Sequence, residues 1–312
     1  MRAPSPDWIV RPAAPTDLDG LLALHQRVFG RALSREQWEW KLRLPGPTPN
    51  VWVAALGTRI LAQYAAIPTR FRHRGADRTA MVSVDTMTDP ELRRRGLLGS
   101  LATAAYAQWR SAGVPFVVGL PNEQWGSRTH ALGWAPVSEL RWWVRWLVPF
   151  GGSRSRDAFH GDRLVEDSAG LDDLWPRIAD EGVVRDAAWF SWRYSRAVPA
   201  WSVVTARRGD AAVGAAAFHV DANPSRPSGL LGEVVGVDRN ARRALLAGID
   251  ARLRQRGAVR AAILLQTGSE LEPDALASGY LPRPSTFVVQ AVDLGGGVPR
   301  AARFQGGDFD VV

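Results

Sequence analysis

Apolar and polar positions along the 312-residue chain follow two alternating rhythms. Runs rich in β-branched residues, bounded by turn residues, predict strands: one opening at Trp52, then Ile60 to Ile67, Thr79 to Thr88 and Pro115 to Leu120. Leu97 to Arg110 has the 3.6-residue period of an amphipathic helix instead. Gly57-Thr58 and Arg208-Gly209-Asp210 punctuate two hairpins, the second leading into a strand from Ala211 to Val220. Helix, strands, strand–loop–helix, strand, helix, strand is the resulting order. It predicts a mixed α/β (α+β) fold whose sheets are mostly antiparallel and flanked by helices.

That order occurs twice. Trp38-Glu-Trp40-Lys41 before the Trp52 strand matches Trp189-Phe-Ser-Trp192-Arg193 before Trp201-Ser-Val-Val. Arg94-Arg95-Gly96-Leu97-Leu98-Gly99 matches Arg242-Arg243-Ala244-Leu245-Leu246-Ala247. The helix ends at Gly113 and Gly257 correspond, as do Gly133-Trp134 and Gly279-Tyr280. Two tandem domains are therefore expected, 1–150 and 151–312, joined by the Gly- and Ser-rich stretch from Phe150 to His160. Gly96 and Gly99 face Ala244 and Ala247 in this alignment, which assigns ligand binding to the first domain and a structural or substrate-shaping role to the second.

Composition narrows the chemistry. There is no cysteine, hence no disulfide framework, thiolate nucleophile or Cys-ligated zinc, and the five dispersed histidines form no metal-ligand spacing. No apolar run reaches the roughly 18 residues of a membrane span, and the N-terminus lacks a signal-like apolar stretch. Cytoplasmic location, no metal and no membrane partner are the expectations. The net charge of +8 comes almost wholly from scattered arginines, Lys41 being the single lysine, so a basic pocket for an anionic ligand is favoured over a nucleic-acid partner.

The pocket's best candidate is Arg93-Arg94-Arg95-Gly96-Leu97-Leu98-Gly99-Ser100, a basic, glycine-containing loop between a strand and a helix start. Free N–H groups and the positive end of the helix dipole meet there, and glycine allows close backbone approach. A phosphate or pyrophosphate is the expected ligand.

Val82-Ser-Val-Asp-Thr-Met-Thr-Asp-Pro90-Glu-Leu-Arg93-Arg-Arg-Gly96-Leu-Leu resembles the GNAT (Gcn5-related) N-acetyltransferases, and most of all their tandem-domain, Eis-like members. The chain is too short for the third, sterol-carrier-like region those members carry. The family signature, Arg/Gln-x-x-Gly-x-Gly/Ala, falls on Arg93, Gly96 and Leu98, with Gly99 following the position where a small residue is missing.

The resemblance implies transfer of an acetyl group from acetyl-CoA to a primary amine of a small molecule such as an aminosugar, polyamine or aminoglycoside. Arg93, Arg94, Arg95, Gly96, Leu97, Leu98, Gly99 and Ser100 would hold the pyrophosphate. Met87 and Thr88 would offer backbone N–H groups to the pantetheine arm and thioester carbonyl, and Asn122 would lie beside the cofactor. Asp85, Glu123 and His130 are candidate proton acceptors, Asp85 weighed against a structural role because it interrupts an apolar strand. The family's usual tyrosine acid would fall on Thr129, leaving its neighbour His130 as the candidate acid. By the same resemblance the tail could bring Asp308, Asp310 or the Val312 carboxylate into the first domain's cleft. Homodimerisation is left open. The alternatives are a non-catalytic acyl-CoA-binding protein and a FemABX-like aminoacyl transferase, the latter needing no pyrophosphate loop.

Overall fold

The computed structural model describes residues 8–42, 48–121, 125, 128–147, 162–178, 181–195, 199–221 and 226–309. The chain forms two compact units. Unit 1 comprises Met1–Arg70, Arg78–Val137 and Val289–Val298; unit 2 comprises Phe71–Asp77, Ser138–Val288 and Pro299–Val312. The units are thus not the contiguous halves 1–150 and 151–312.

Unit 1 begins with β1 (Ile9–Pro12), α1 (Leu18–Phe29) and α2 (Arg35–Leu42). The hairpin strands β2 (Val51–Leu56), β3 (Arg59–His73) and β4 (Ala76–Thr88) follow. Next come α3 (Leu97–Ser111), β5 (Phe116–Gly119) and the short α4 (Arg128–Ala131). Strand alternation divides β2 between two layers. Trp52 and Ala54 join the core under α3, with Leu101, Ala105 and Trp109, whereas Val53 and Ala55 pack with Leu21 and Leu24 of α1. Gly30, at φ 69°, ends α1 with its N–H bonded to the Gln26 carbonyl.

Unit 2 repeats the plan. β6 (Ala135–Trp146) and β7 (Arg163–Val165) are followed by α5 (Leu171–Leu174), β8 (Gly182–Val183) and α6 (Ala187–Tyr194). Then come β9 (Ser202–Arg208), β10 (Ala211–Asp221), β11 (Ser228–Gly236), α7 (Arg239–Gln255), β12 (Arg260–Gln266), α8 (Leu271–Ala277) and β13 (Leu281–Asp293). Trp143 is buried in this unit's core, while Trp146 on the same strand is half exposed.

The final strands are exchanged. β6 starts from unit 1 but pairs antiparallel with β12, from Leu140↔Gln266 to Trp146↔Arg260. β13 starts from unit 2 and pairs antiparallel with β5, Gln290↔Gly119 to Asp293↔Phe116. Among the described residues, no helix is long and apolar enough to cross a membrane.

Candidate functional site

In unit 1, β4 and β5 run parallel and pair across Met81↔Val117 and Val82↔Val118. β4 continues to Thr88, whereas β5 stops at Gly119, so a wedge opens along the last residues of β4. Within that stretch Asp85 adopts φ 45°, a left-handed residue inside a strand, which bends the chain and re-aims its backbone groups.

From the end of β4, residues 89–96 lead to the α3 N-terminus. Asp89 caps a single 3-10 turn (Pro90–Leu92), accepting from the Glu91 N–H at 3.3 Å. Arg27 and Arg59 pair with its carboxylate at 3.2 and 2.9 Å. Burial alone would raise the Asp89 pKa, but the Arg59 bond and the Glu91 N–H hold it below the usual value. Its negative charge is thereby compensated and does not repel an anion nearby.

Arg94 and Gly96 both have positive φ, 67° and 83°, and curl the loop into α3. Gly96 is the N-cap. The first helical bond runs from Ser100 N–H to the Gly96 carbonyl at 3.0 Å, leaving the amides of Leu97, Leu98 and Gly99 without intrahelical acceptors. A Cβ at Gly96 or Gly99 would meet no atom within 4 Å, so both face open space. Leu98, in the position where the family pattern has a small residue, packs against the core under α3. Arg93, Arg94 and Arg95 are exposed, and among the described residues their guanidinium groups have no partner. Exposed arginines, open amides and the positive end of a helix dipole together favour a negative charge at this point.

The remaining sequence candidates separate. The Asp85 carboxylate is held 2.8 Å from Lys41 Nζ, and Gln63 Nε2 donates to the Asp85 carbonyl at 2.8 Å. His130 is exposed on α4, with its backbone carbonyl accepting from the Gly133 N–H. Met87 faces the α1 side of the sheet, and Thr88 is half buried at the mouth of the wedge. Asn122, Glu123, Asp310 and Val312 lie outside the described residues. Asp308 belongs to unit 2, where both of its carboxylate oxygens accept from Arg185 at 2.7 Å.

A buried hydroxyl pair escapes sequence reasoning. Tyr64 on β3 and Tyr106 on α3 share a 3.0 Å hydrogen bond, and Trp134 Nε1 donates to the Tyr106 oxygen at 3.0 Å. Burial pushes the Tyr106 pKa up to about 12 and holds that of Tyr64 well above its ordinary value, so both stay protonated at neutral pH. The hydroxyl of Ser83, just beyond the last paired residue of β4, bonds to Tyr64. No sequence signal links these residues; each reads as an ordinary core position.

Unit 2 has no counterpart of the 89–96 loop. Only residues 237–238 separate β11 from α7, so the cradle is absent as a segment and not merely obstructed by Cβ atoms. Ala244 and Ala247 lie inside α7, about one helical turn further on than the alignment on Arg-Arg-x-Leu-Leu implies. The Asp238 carboxylate accepts from the Ala241 N–H at 2.8 Å, placing a fixed negative charge where unit 1 leaves its amides open. Arg242 and Arg243 are neutralised by the fully buried Asp274, at 2.8 and 3.0 Å.

Comparison with solved structures finds the same fold. The chain is similar to a probable N-acyltransferase of Enterococcus faecalis V583, with TM-score 0.72, 14% identity, and coverage of 93% of this chain and 73% of that one. It is also similar to a GCN5-related N-acetyltransferase of Anabaena variabilis ATCC 29413, with TM-score 0.71, 12% identity, and coverage of 92% and 73%. A third, the GCN5-related N-acetyltransferase of Kribbella flavida, has TM-score 0.69 and 14% identity over 92% of this chain and 72% of that one. No curated protein sequence matches the chain. The family model of the acetyltransferase (GNAT) domain matches residues 9–137. That match spans less than half of the chain, so the likeness to an acetyltransferase (GNAT) domain is one of residues 9–137.

Proposed function

We propose that the protein is an acetyl-CoA-dependent N-acetyltransferase of the tandem, Eis-like type, acting on a primary amine of a small molecule. Unit 1 is the donor-binding and catalytic unit, and unit 2 supports or shapes the acceptor side. The observation that carries this reading is the open α3 N-terminus, with Gly96 and Gly99 facing free space and, beside them, three exposed arginines that have no partner among the described residues. The pyrophosphate rests on the loop amides, mainly through backbone, with the arginines supplying charge. The pantetheine arm lies along the freed edge of β4, and the Met87 or Thr88 N–H polarises the thioester carbonyl.

The amine nitrogen attacks that carbonyl, its proton passes to a base, and the C–S bond breaks to release the CoA thiolate. With no cysteine in the chain, direct transfer in a ternary complex is the route that needs no covalent enzyme intermediate. An alkylamine of pKa about 10.4 must lose its proton first. His130 is exposed and unencumbered for that task, as the base or as the acid for the thiolate. Asp85 is committed to Lys41 and is the weaker candidate. Glu123, the Val312 carboxylate and, beside the cofactor, Asn122 complete the set.

The test is CoA-thiol release from acetyl-CoA against a panel of aminosugars, polyamines and aminoglycosides, with calorimetric titration of CoA alongside. Turnover with any member supports the proposal. CoA binding without turnover assigns the chain as an acyl-CoA-binding protein, and absence of CoA binding overturns both readings.

A further inference from the structure

The C-terminal segment does in unit 2 what the cofactor is proposed to do in unit 1. β11 and β12 run parallel and pair from Ser228↔Arg260 to Leu231↔Ile263. Beyond that point β11 continues to Gly236 and β12 to Gln266, as β4 and β5 do around their wedge. In unit 2 the space is taken by the chain itself. The Gln305 side-chain amide accepts from the Val234 N–H and donates to the Val234 carbonyl, both at 2.9 Å. One side chain thus satisfies both backbone groups of a strand residue, as a neighbouring strand would. Gln305 also bridges Leu265 of β12, Gln266 Nε2 donates to the Ala302 carbonyl at 3.1 Å, and the Phe304 N–H donates to Gln266 Oε1 at 2.8 Å. The segment is tied to both strands.

Its far end is clamped by buried charge. Arg185 donates to Glu233 at 2.6 Å and to Asp308 at 2.7 Å, all three fully buried. Arg193 donates to the Gly307 and Phe309 carbonyls at 2.7 and 2.6 Å. A Cβ on Gly307 would lie 2.2 Å from the Tyr194 hydroxyl and 2.6 Å from Glu233 Oε2, so only glycine fits there. Phe304 and Phe309 are buried to either side. Counted back from the strand ends Thr88 and Gly236, Val234 corresponds to Thr86, on the β4 edge offered to the donor in unit 1.

We infer that the split between β11 and β12 is a binding site for an extended peptide, and that its ligand is this chain's own segment 302–309. The site reads a Gln side chain through the Val234 backbone, a glycine against Tyr194, and an aspartate through Arg185. The cavity left beside the segment is about 260 Å³, bordered by Val234, Gly236, Arg242 and Gln266, below the roughly 300–1,000 Å³ of drug-sized ligand sites. The segment therefore occupies in unit 2 the place that the donor is proposed to take in unit 1. The analogy to a donor cleft rests on the proposed function; the docking of the peptide does not.

The experiment uses the full chain carrying a protease site between Val298 and Pro299, folded first and then cut. Expected results are that the 299–312 fragment stays bound after cutting, and that a fluorescent synthetic 299–312 peptide exchanges into the site. Peptides with Gln305→Ala or Gly307→Val should exchange at least about tenfold more weakly, the loss of two net hydrogen bonds being of that order. Dissociation of the cut fragment, or equal affinity of all three peptides, overturns the inference. Hydrogen exchange on the uncut protein gives an independent reading: the Val234 amide should be protected, and Gln305→Ala should release it. A fast Val234 amide in the parent protein also overturns it. None of these readouts involves CoA, so they stand or fall apart from the acetyltransferase assignment.

Discussion

The Trp134 indole N–H donates to the Tyr106 hydroxyl at 3.0 Å, tying the start of β6 to the buried face of α3. In unit 2 the same places hold Tyr280 and Asp250, joined by a 2.6 Å hydrogen bond, with Arg145 as a second partner of Asp250. The chemistry has changed completely while the tether has stayed. Each bond fixes the point from which a final strand departs, so each determines which strand edge that segment can reach. Replacing Tyr106 by Phe removes the acceptor of the Trp134 N–H and the partner of Tyr64 while leaving volume nearly unchanged. Loss of about 1–3 kcal/mol is expected in urea unfolding, the usual effect of stranding a buried polar group.

Gly96→Glu tests the anion cradle. The new side chain has space, so the fold should survive with a penalty of about 1–2 kcal/mol for a non-glycine residue at left-handed φ. Its carboxylate would stand where the donor phosphates are proposed to lie. CoA affinity should fall by at least about tenfold, whereas Arg94→Ala should lower it only a fewfold because backbone groups do most of the holding. Calorimetry on both variants, with melting temperatures for the fold, makes the comparison.

Two buried carboxylates should give pH dependences of opposite sign. Asp89 has its folded pKa held below the ordinary value of 3.8, so its stabilising contribution is present above that pH and is lost as pH falls through the folded value. Glu233 is pushed by burial from 4.5 up to about 8, against the pull of Arg185. Between those values the folded state holds a proton that the unfolded state releases, so stability declines as pH rises towards 8. Urea midpoints should therefore show a shallower decline from pH 5 to 8 in Glu233→Gln, and a smaller drop below pH 4 in Asp89→Asn. Asp308, Arg193 and Tyr194 also face Glu233, so the Glu233→Gln profile should be compared with that of Asp308→Asn.

Residues 1–150 expressed alone should not give a cooperative melt. They lack the β13 strand that pairs with β5, and they carry β6 without its β12 partner. Co-expression with 151–312 should restore a single transition, because the two pieces together contain every paired strand. Calorimetry of each piece and of the mixture checks this.

The local plan was legible in the sequence, and the pairing was not. Gly57 and Gly209 mark hairpins because both adopt φ near +60°, and the predicted helix from Leu97 stops within one residue of the observed end. The β6 and β13 patterns, by contrast, look the same whichever strand edge they meet, since partner choice depends on residues far away in sequence. The match of Arg94-Arg95 to Arg242-Arg243 slipped by about one turn because moving an amphipathic helix by a turn leaves its apolar face in phase. The true correspondence is Leu101, Ala105 and Trp109 with Leu245, Ile249 and Leu253, all fully buried. Asp85 stood out as an acid in an apolar strand. Its partner Lys41 could not be read, although Glu233 with Arg185 at the equivalent place in β11 suggests that the bulge requires such a pair.

The exchanged strands also set a schedule. On the ribosome, β5 emerges long before its partner in β13. Until then the β5 edge, whose residues Phe116 to Val118 are wholly apolar, remains unpaired and able to template a wrong partner. Completion of unit 1 by a local contact is impossible, so its maturation must wait for β13 and follow the slow kinetics of distant pairing. Chaperone dependence and yield in the cell should therefore be governed by the arrival of β13, not by the segment that carries the Arg93 to Ser100 loop.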